Sequence, residues 1–215
     1  MKKLLFLGAA GAGKGTQAAK LSEEFGITHI STGDIIRGAI SSGSELGNKV
    51  KSIVESGQLV SDDIVNELVK EKVASLDSYI LDGYPRTLEQ AKFFDTYSKF
   101  DTVFNFIVPR DALFQRLTGR RICSKANKKD CAGTFHVTLN PPKEVMVCDL
   151  CGSPLIQRKD DQPEAINKRL DTYETETGKP LNDYYKSQGN LVNINADQVP
   201  EEVFSELKKC LKVSA

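Results

Sequence analysis

Short, almost wholly apolar runs alternate along this chain with longer stretches in which apolar residues recur at helical spacing. The runs at 3–7, 28–30, 79–81, 102–108 and 191–194 are rich in Leu, Ile, Val and Phe, and most are bounded by Gly, Asp or Pro, so they read as five strands. Between them, Ile64, Val65, Leu68, Val69 and Val73 follow Ser61 along one helical face. Leu113, Phe114 and Leu117 follow Asp111, and Ile166 and Leu170 follow Pro163, which suits the first turn of a helix. Alternation of this kind predicts an α/β fold, a five-stranded parallel sheet with helices on both faces.

Two regions depart from the pattern. Residues 31–60 hold two short helical segments punctuated by Gly43, Gly47 and Gly57, with no strand of their own. Residues 121–160 hold four of the five cysteines, the pair Pro141 and Pro142, and an alternating run at 134–139, a composition of small antiparallel strands. Both read as insertions into the main sheet.

Composition narrows the function. Two hundred and fifteen residues suffice for one sizeable core with small insertions. Lys and Arg number 29 and so do Asp and Glu, so the chain lacks the positive field that favours nucleic acid or anionic membrane surfaces. No run approaches eighteen apolar residues, and mean hydropathy is −0.33, which argues against a membrane span. Lys2 and Lys3 before an apolar run superficially copy a secretion signal, but the run reads as the first core strand. An odd number of cysteines in a chain of this size fits a reducing cytoplasm better than a disulfide framework.

The strongest chemical signal is Gly8-Ala9-Ala10-Gly11-Ala12-Gly13-Lys14-Gly15-Thr16, directly after the first strand and opening a helix. Glycines let backbone N–H groups converge on phosphate oxygens, the helix N-terminus adds partial positive charge, and Lys14 reaches the β and γ phosphates. Gly15 stands where the usual pattern has Ser or Thr, and the hydroxyl waits at Thr16. The run ending in Asp82-Gly83-Tyr84-Pro85-Arg86 places a carboxylate at the end of a strand, on the side where open α/β sheets bind ligands. There Asp82 can hold the hydration shell of Mg²⁺. Eight arginines against twenty-one lysines stand mostly at motif boundaries, as phosphate clamping requires.

These segments, with Ser31-Thr32-Gly33-Asp34, Thr118-Gly119-Arg120-Arg121 and Arg158-Lys159-Asp160-Asp161, resemble the successive motifs of adenylate kinases of the long-lid type, from Lys3 to about Val213. The resemblance implies a core of residues 1–30, 61–118 and 162–215, an AMP-binding insertion at 31–60, and a lid at 119–161, both insertions closing on nucleotide. It assigns Gly11, Ala12, Gly13, Lys14, Gly15 and Thr16 to ATP, together with Arg116, Arg120, Thr134, Phe135 and the backbone near Gln198. To AMP it assigns Thr32, Arg37, Gln58, Leu59, Val60, Gly83, Tyr84, Pro85, Arg86, Gln90, Arg158 and Arg169. The catalytic set is Lys14, Arg86, Arg120, Arg158 and Arg169. Ala9 and Ala10 replace prolines frequent in that family. The implied reaction is reversible, Mg²⁺-dependent phosphoryl transfer from ATP to AMP giving two ADP, with GTP:AMP phosphotransfer as the alternative. Such an enzyme is expected to be a cytoplasmic monomer whose partners are ATP, AMP and ADP, with neither nucleic acid nor membrane.

An AMP phosphate is already an anionic nucleophile, so no general base is needed, and both histidines, His29 and His136, read as structural. Cys148 and Cys151 form a C-x₂-C knuckle separated from Cys131 by sixteen residues, as in zinc-bearing lids of similar adenylate kinases. Seven residues separate Cys123 from Cys131, where two are usual. Together the four are expected to hold structural Zn²⁺. Asn127-Lys128-Lys129-Asp130 copies the guanine-binding pattern of GTPases, but it falls between lid cysteines rather than after a core strand. A zinc-ribbon interaction module would explain the cysteines and leave the phosphate loop unexplained.

Overall fold

The computed structural model describes residues 2–125, 131 and 133–213, the side chains of 212 and 213 excepted. The GTPase-like residues 127–130 lie outside the described residues. In chain order the elements are β1 (Lys3–Leu7), α1 (Lys14–Phe25), β2 (Thr28–Ser31), α2 (Thr32–Ser41), α3 (Glu45–Glu55), α4 (Asp62–Val73), β3 (Tyr79–Asp82), α5 (Leu88–Asp95), β4 (Thr102–Ile107), α6 (Arg110–Thr118), β5 (Arg120–Cys123), β6 (Thr134–His136), β7 (Leu155–Ile156), α7 (Pro163–Thr172), α8 (Lys179–Ser187), β8 (Leu191–Asn195) and α9 (Pro200–Val213). A 3₁₀ turn at Lys159–Asp161 and a π-helical stretch at Tyr173–Gly178 flank α7.

Two compact units form. The first comprises Met1–Gly33, Ser61–Pro109 and Leu170–Ala215, the second Asp34–Val60 and Arg110–Arg169.

The first unit contains the five-stranded sheet, ordered β2-β3-β1-β4-β8 and parallel throughout. All five predicted strands are present. Helices α1 and α9 pack together, α5 packs on both α4 and α8, and these groups make the helical layers over the sheet. A sheet covered on both faces has no polar side to alternate with, hence the continuous apolar strands. Leu4, Leu5, Phe6, Ile80, Leu81, Val103 and Phe104 are almost completely buried. The register sets Phe6, Ser31 and Asp82 side by side at the carboxyl ends of β1, β2 and β3. Ser61 does stand at the N-cap of α4, though its side chain makes no capping hydrogen bond.

The second unit carries α2 and α3, the two helices expected for 31–60, and a small antiparallel sheet ordered β6-β5-β7. Gly43 and Gly57 do punctuate, with φ of 69° and 78°. Gly47 does not: it sits inside α3, where a Cβ would collide with the Ala39 carbonyl, so it permits close approach of α2 and α3. The alternating run 134–139 yields a strand of only three residues. His136 Nδ1 accepts from the amides of Thr138, at 3.1 Å, and Leu139, at 3.0 Å, and so captures donors that a longer strand would have offered to a neighbour.

Candidate functional site

The phosphate-loop candidate, residues 8–16, joins β1 to α1 in the first unit. Gly11 and Gly13 have φ of 84° and 88°, conformations that side-chain-bearing residues rarely adopt. Gly8 has a different reason: a Cβ there would lie 3.0 Å from both the Cβ and the carbonyl oxygen of Phe106. Lys14 Nζ folds back to donate to the carbonyls of Gly8, at 2.8 Å, and Ala9, at 2.9 Å, and stands 3.7 Å from Asp82 Oδ1. The other oxygen of Asp82 faces the loop, 3.9 Å from where a Gly15 side chain would begin. Thr16, in the first turn of α1, is exposed, while Ala12 is buried.

Burial alone would raise the pKa of Asp82, but the positive charge of Lys14 overrides it, with His29 and Arg86 assisting, and the carboxyl is held below its ordinary range. An ionised, partly shielded carboxylate beside a phosphate loop is the hydrogen-bond acceptor that the waters of a hydrated Mg²⁺ require, so the residues fit that ion. His29 Nε2 is 3.8 Å from Asp82 Oδ2. His29 reads as structural from the sequence; its approach to Asp82, which pairs with Ser31 rather than His29 in the β2–β3 register, had no signal in the chain itself.

The strand end after Asp82 is a tight turn. Gly83 has φ 82°, and a Cβ would stand 2.8 Å from Thr32 Oγ1. Buried Thr32 donates to the Gly83 carbonyl at 2.7 Å, and Arg86 Nε donates to the same oxygen at 2.9 Å. A cis peptide joins Tyr84 to Pro85. Tyr84 Oη donates to Asn66 Oδ1, at 2.7 Å, and to the Gln90 carbonyl, at 3.2 Å. The structure thus brings Thr32, Gly83, Tyr84, Pro85, Arg86 and Gln90 into one neighbourhood. Gln198 lies apart in the β8–α9 loop, with its amide donating to the Asn195 carbonyl at 2.7 Å.

In the second unit four arginines converge on three carboxylates. Arg120 forks onto fully buried Asp161, Nε to Oδ2 at 2.8 Å and Nη2 to Oδ1 at 2.6 Å. Arg169 reaches Asp161 Oδ1 at 3.1 Å and Asp160 Oδ2 at 3.0 Å. Arg37 pairs with Asp34. Arg158 Nε is buried without a hydrogen-bond partner among the described residues. Its burial, aided by the charges of Arg37 and Arg120, lowers its pKa to about 9. A guanidinium carrying this much desolvation and like-charge repulsion is suited to an added anion. Arg121, by contrast, donates to the carbonyls of Thr118 and Arg120, which terminates α6. Asp160 and Asp161 were visible as part of a motif, but not as the counter-charges that pin Arg120 and Arg169.

Arg116 lies in the last turn of α6, and residues 58–60 form the segment after α3, with Val60 buried. Thr134 is exposed on β6. Phe135 packs its ring with Cys123, Cys131, Cys148 and Leu155, so only its backbone remains for a ligand.

The sulfurs of Cys123, Cys131, Cys148 and Cys151 all lie within 4.8 Å of one another, with 3.5 Å for the pairs Cys123–Cys151 and Cys131–Cys148. Four sulfurs about 2.3 Å from one Zn²⁺ in a tetrahedron stand roughly 3.8 Å apart, so the cluster fits that ion. The long gap after Cys123 does not deprive the sulfurs of amide donors. Lys125 N donates to Cys123 and Gly133 N to Cys131, each at 3.4 Å and each two residues after its cysteine. A Cβ on Gly133 would stand 2.7 Å from Cys148 Sγ, so the turn closes tightly over the cluster. Hydrogen bonds from Ser153 lower the pKa of Cys151 to about 6, whereas those of Cys123 and Cys131 are raised, with burial and neighbouring thiols among the causes.

Comparison with known proteins agrees with this geometry. The family model described as adenylate kinase matches residues 6–190. An adenylate kinase of Carboxydothermus hydrogenoformans is 47% identical over 98% of this chain and 99% of its own. Those of Petrotoga mobilis and Clostridium acetobutylicum are 44% and 42% identical, over 98% and 97% of this chain and 97% and 98% of theirs.

Proposed function

Because the chain belongs to the adenylate kinase family, we propose that it transfers the γ-phosphoryl group of Mg²⁺-bound ATP reversibly to AMP, giving two ADP. The observation that carries this reading is the pairing of Lys14 with an ionised Asp82 at the mouth of a glycine-rich loop, together with four clustered arginines. The relatives compared above are named adenylate kinase, and GTP as donor is not favoured.

Each residue then has a physical task. The backbone of residues 11–16 takes the ATP phosphates, and Lys14 leaves the carbonyls of Gly8 and Ala9 to neutralise them. Asp82 accepts from waters around the substrate's Mg²⁺, which spreads charge on the β and γ phosphates when bound. Arg37 and Arg86 hold the AMP phosphate, and Thr32, residues 58–60, Gly83, Tyr84, Pro85 and Gln90 hold its nucleoside. Arg116, Thr134, and the backbone of Phe135 and Gln198 serve ATP. Arg120, Arg158 and Arg169 stabilise charge on the phosphoryl group in flight. Asp160 and Asp161 keep Arg120 and Arg169 from swinging onto solvent anions.

Residues 31–60 and 119–161 are proposed as the AMP-binding insertion and the lid, and the rest as core. No helix among the described residues is long and apolar enough to cross a membrane. The free thiols support a cytoplasmic location, and the chain is proposed to act as a monomer. Initial rates with AMP and either MgATP or MgGTP test the donor assignment: a clear ATP preference supports it, and equal or better rates with GTP would reverse it.

A further inference from the structure

The polar groups of Gln90 are held on four sides in the first unit. Its backbone N–H donates to Thr87 Oγ1 at 3.1 Å, and its carbonyl accepts from Tyr84 Oη at 3.2 Å. Its side-chain Oε1 accepts from the backbone N–H of Arg86 at 2.7 Å, while Nε2 donates to Asp62 Oδ1 at 2.8 Å. Thr87 Oγ1 donates in turn to the other oxygen of Asp62, at 2.7 Å. Gln90 is 2% exposed.

The direction of every bond in this ring is forced. A backbone N–H can only donate, so Arg86 demands the oxygen of the amide. An ionised carboxylate can only accept, so Asp62 demands the nitrogen. Thr87 already accepts from the Gln90 N–H, which leaves its own proton to point at Asp62. Turning the amide over would set two donors face to face at Arg86 and two acceptors face to face at Asp62, in a part-buried site.

After these bonds the Gln90 amide keeps one N–H and one oxygen lone pair, adjacent and in known order. That pattern complements a purine edge with an exocyclic amine beside a ring nitrogen, as in adenine, and opposes one with an exocyclic carbonyl, as in hypoxanthine. We infer that Asp62 is a positioning residue for base selection: it fixes the orientation of the Gln90 amide, and through it the preference for an adenine monophosphate. The inference rests on the assignment of Gln90 to the AMP base.

Steady-state kinetics with AMP and IMP as acceptors test it. Asp62→Ala is expected to raise KM for AMP and to erode the AMP-over-IMP preference, each on the order of tenfold, the scale of one bidentate base contact. KM for MgATP should be unmoved. Asp62→Asn, whose carbonyl oxygen can still accept from Nε2, should restore most of the preference, which a purely structural role would not explain. Combining Asp62→Ala with Gln90→Leu should be no worse for AMP than Gln90→Leu alone. If Gln90→Leu impairs AMP selectively while Asp62→Ala keeps the wild-type AMP KM and base preference, the positioning role is wrong and the base assignment stands. If Gln90→Leu itself leaves AMP unaffected, the base assignment fails and the positioning role falls with it.

Discussion

Arg120 and Asp161 face each other as a planar fork and a planar carboxylate, joined by two hydrogen bonds of 2.8 and 2.6 Å, with the Asp161 side chain wholly buried. Asp161 also receives Arg169. Asp161→Asn would leave Arg120 without its charged partner and Arg169 with Asp160 alone, and removing one member of a buried pair costs about 3–5 kcal/mol. Urea unfolding should show a loss of that order; a change under about 1 kcal/mol, the scale of an exposed pair, would contradict the burial argument.

Arg86 sits differently, with its guanidinium anchored through Nε to the Gly83 carbonyl and assigned to the acceptor phosphate. Arg86→Ala should leave the circular dichroism spectrum intact and lower turnover by about 10³-fold or more, the cost of losing a phosphoryl-clamping arginine. Turnover within tenfold of wild type would remove Arg86 from the catalytic set.

The strands were legible because a sheet covered on both faces must be apolar throughout, and the phosphate loop was legible because its glycines and lysine must be contiguous. Partner choice was not. Nothing in the local chain says that Asp62 will meet Gln90, or that the His29 ring will come within 3.8 Å of Asp82; those contacts follow from sheet assembly and helix packing over long separations. The small sheet was only half visible. β5 and β7 are four and two residues long, too short for periodicity, and β6 ends where His136 draws two amides onto its ring. The four cysteines were readable from spacing, but the donors Lys125 N and Gly133 N that make the wide spacing workable were not.

Asp82 also predicts an acid response. Its folded pKa lies below the ordinary 3.8, burial being outweighed by Lys14 and its neighbours. The unfolded chain therefore takes up the proton first, and stability rises with pH in this window. The contribution is complete above about pH 5 and is lost as pH falls through 3.8 toward the lower folded value. Unfolding free energies measured from pH 6 to pH 3 should fall more steeply for wild type than for Asp82→Asn. Parallel curves would show that Asp82 is not shifted.

The thiol cluster predicts close to one zinc per chain in protein purified without chelator, measured by mass spectrometry of the metal. Cys148→Ser should release it and lower the melting temperature, and acidification should release it from wild type as the thiolates take up protons. A metal-free preparation with the same melting temperature as Cys148→Ser would show that the cluster is held by packing alone.

The central claim is tested most directly by ³¹P NMR of the enzyme mixed with MgATP and AMP in equal amounts. Phosphoryl transfer between nucleotides predicts that both decline together toward equilibrium, two ADP appearing for each AMP consumed, with no inorganic phosphate. Release of phosphate from ATP with AMP unconsumed would contradict it and describe a nucleotide hydrolase instead.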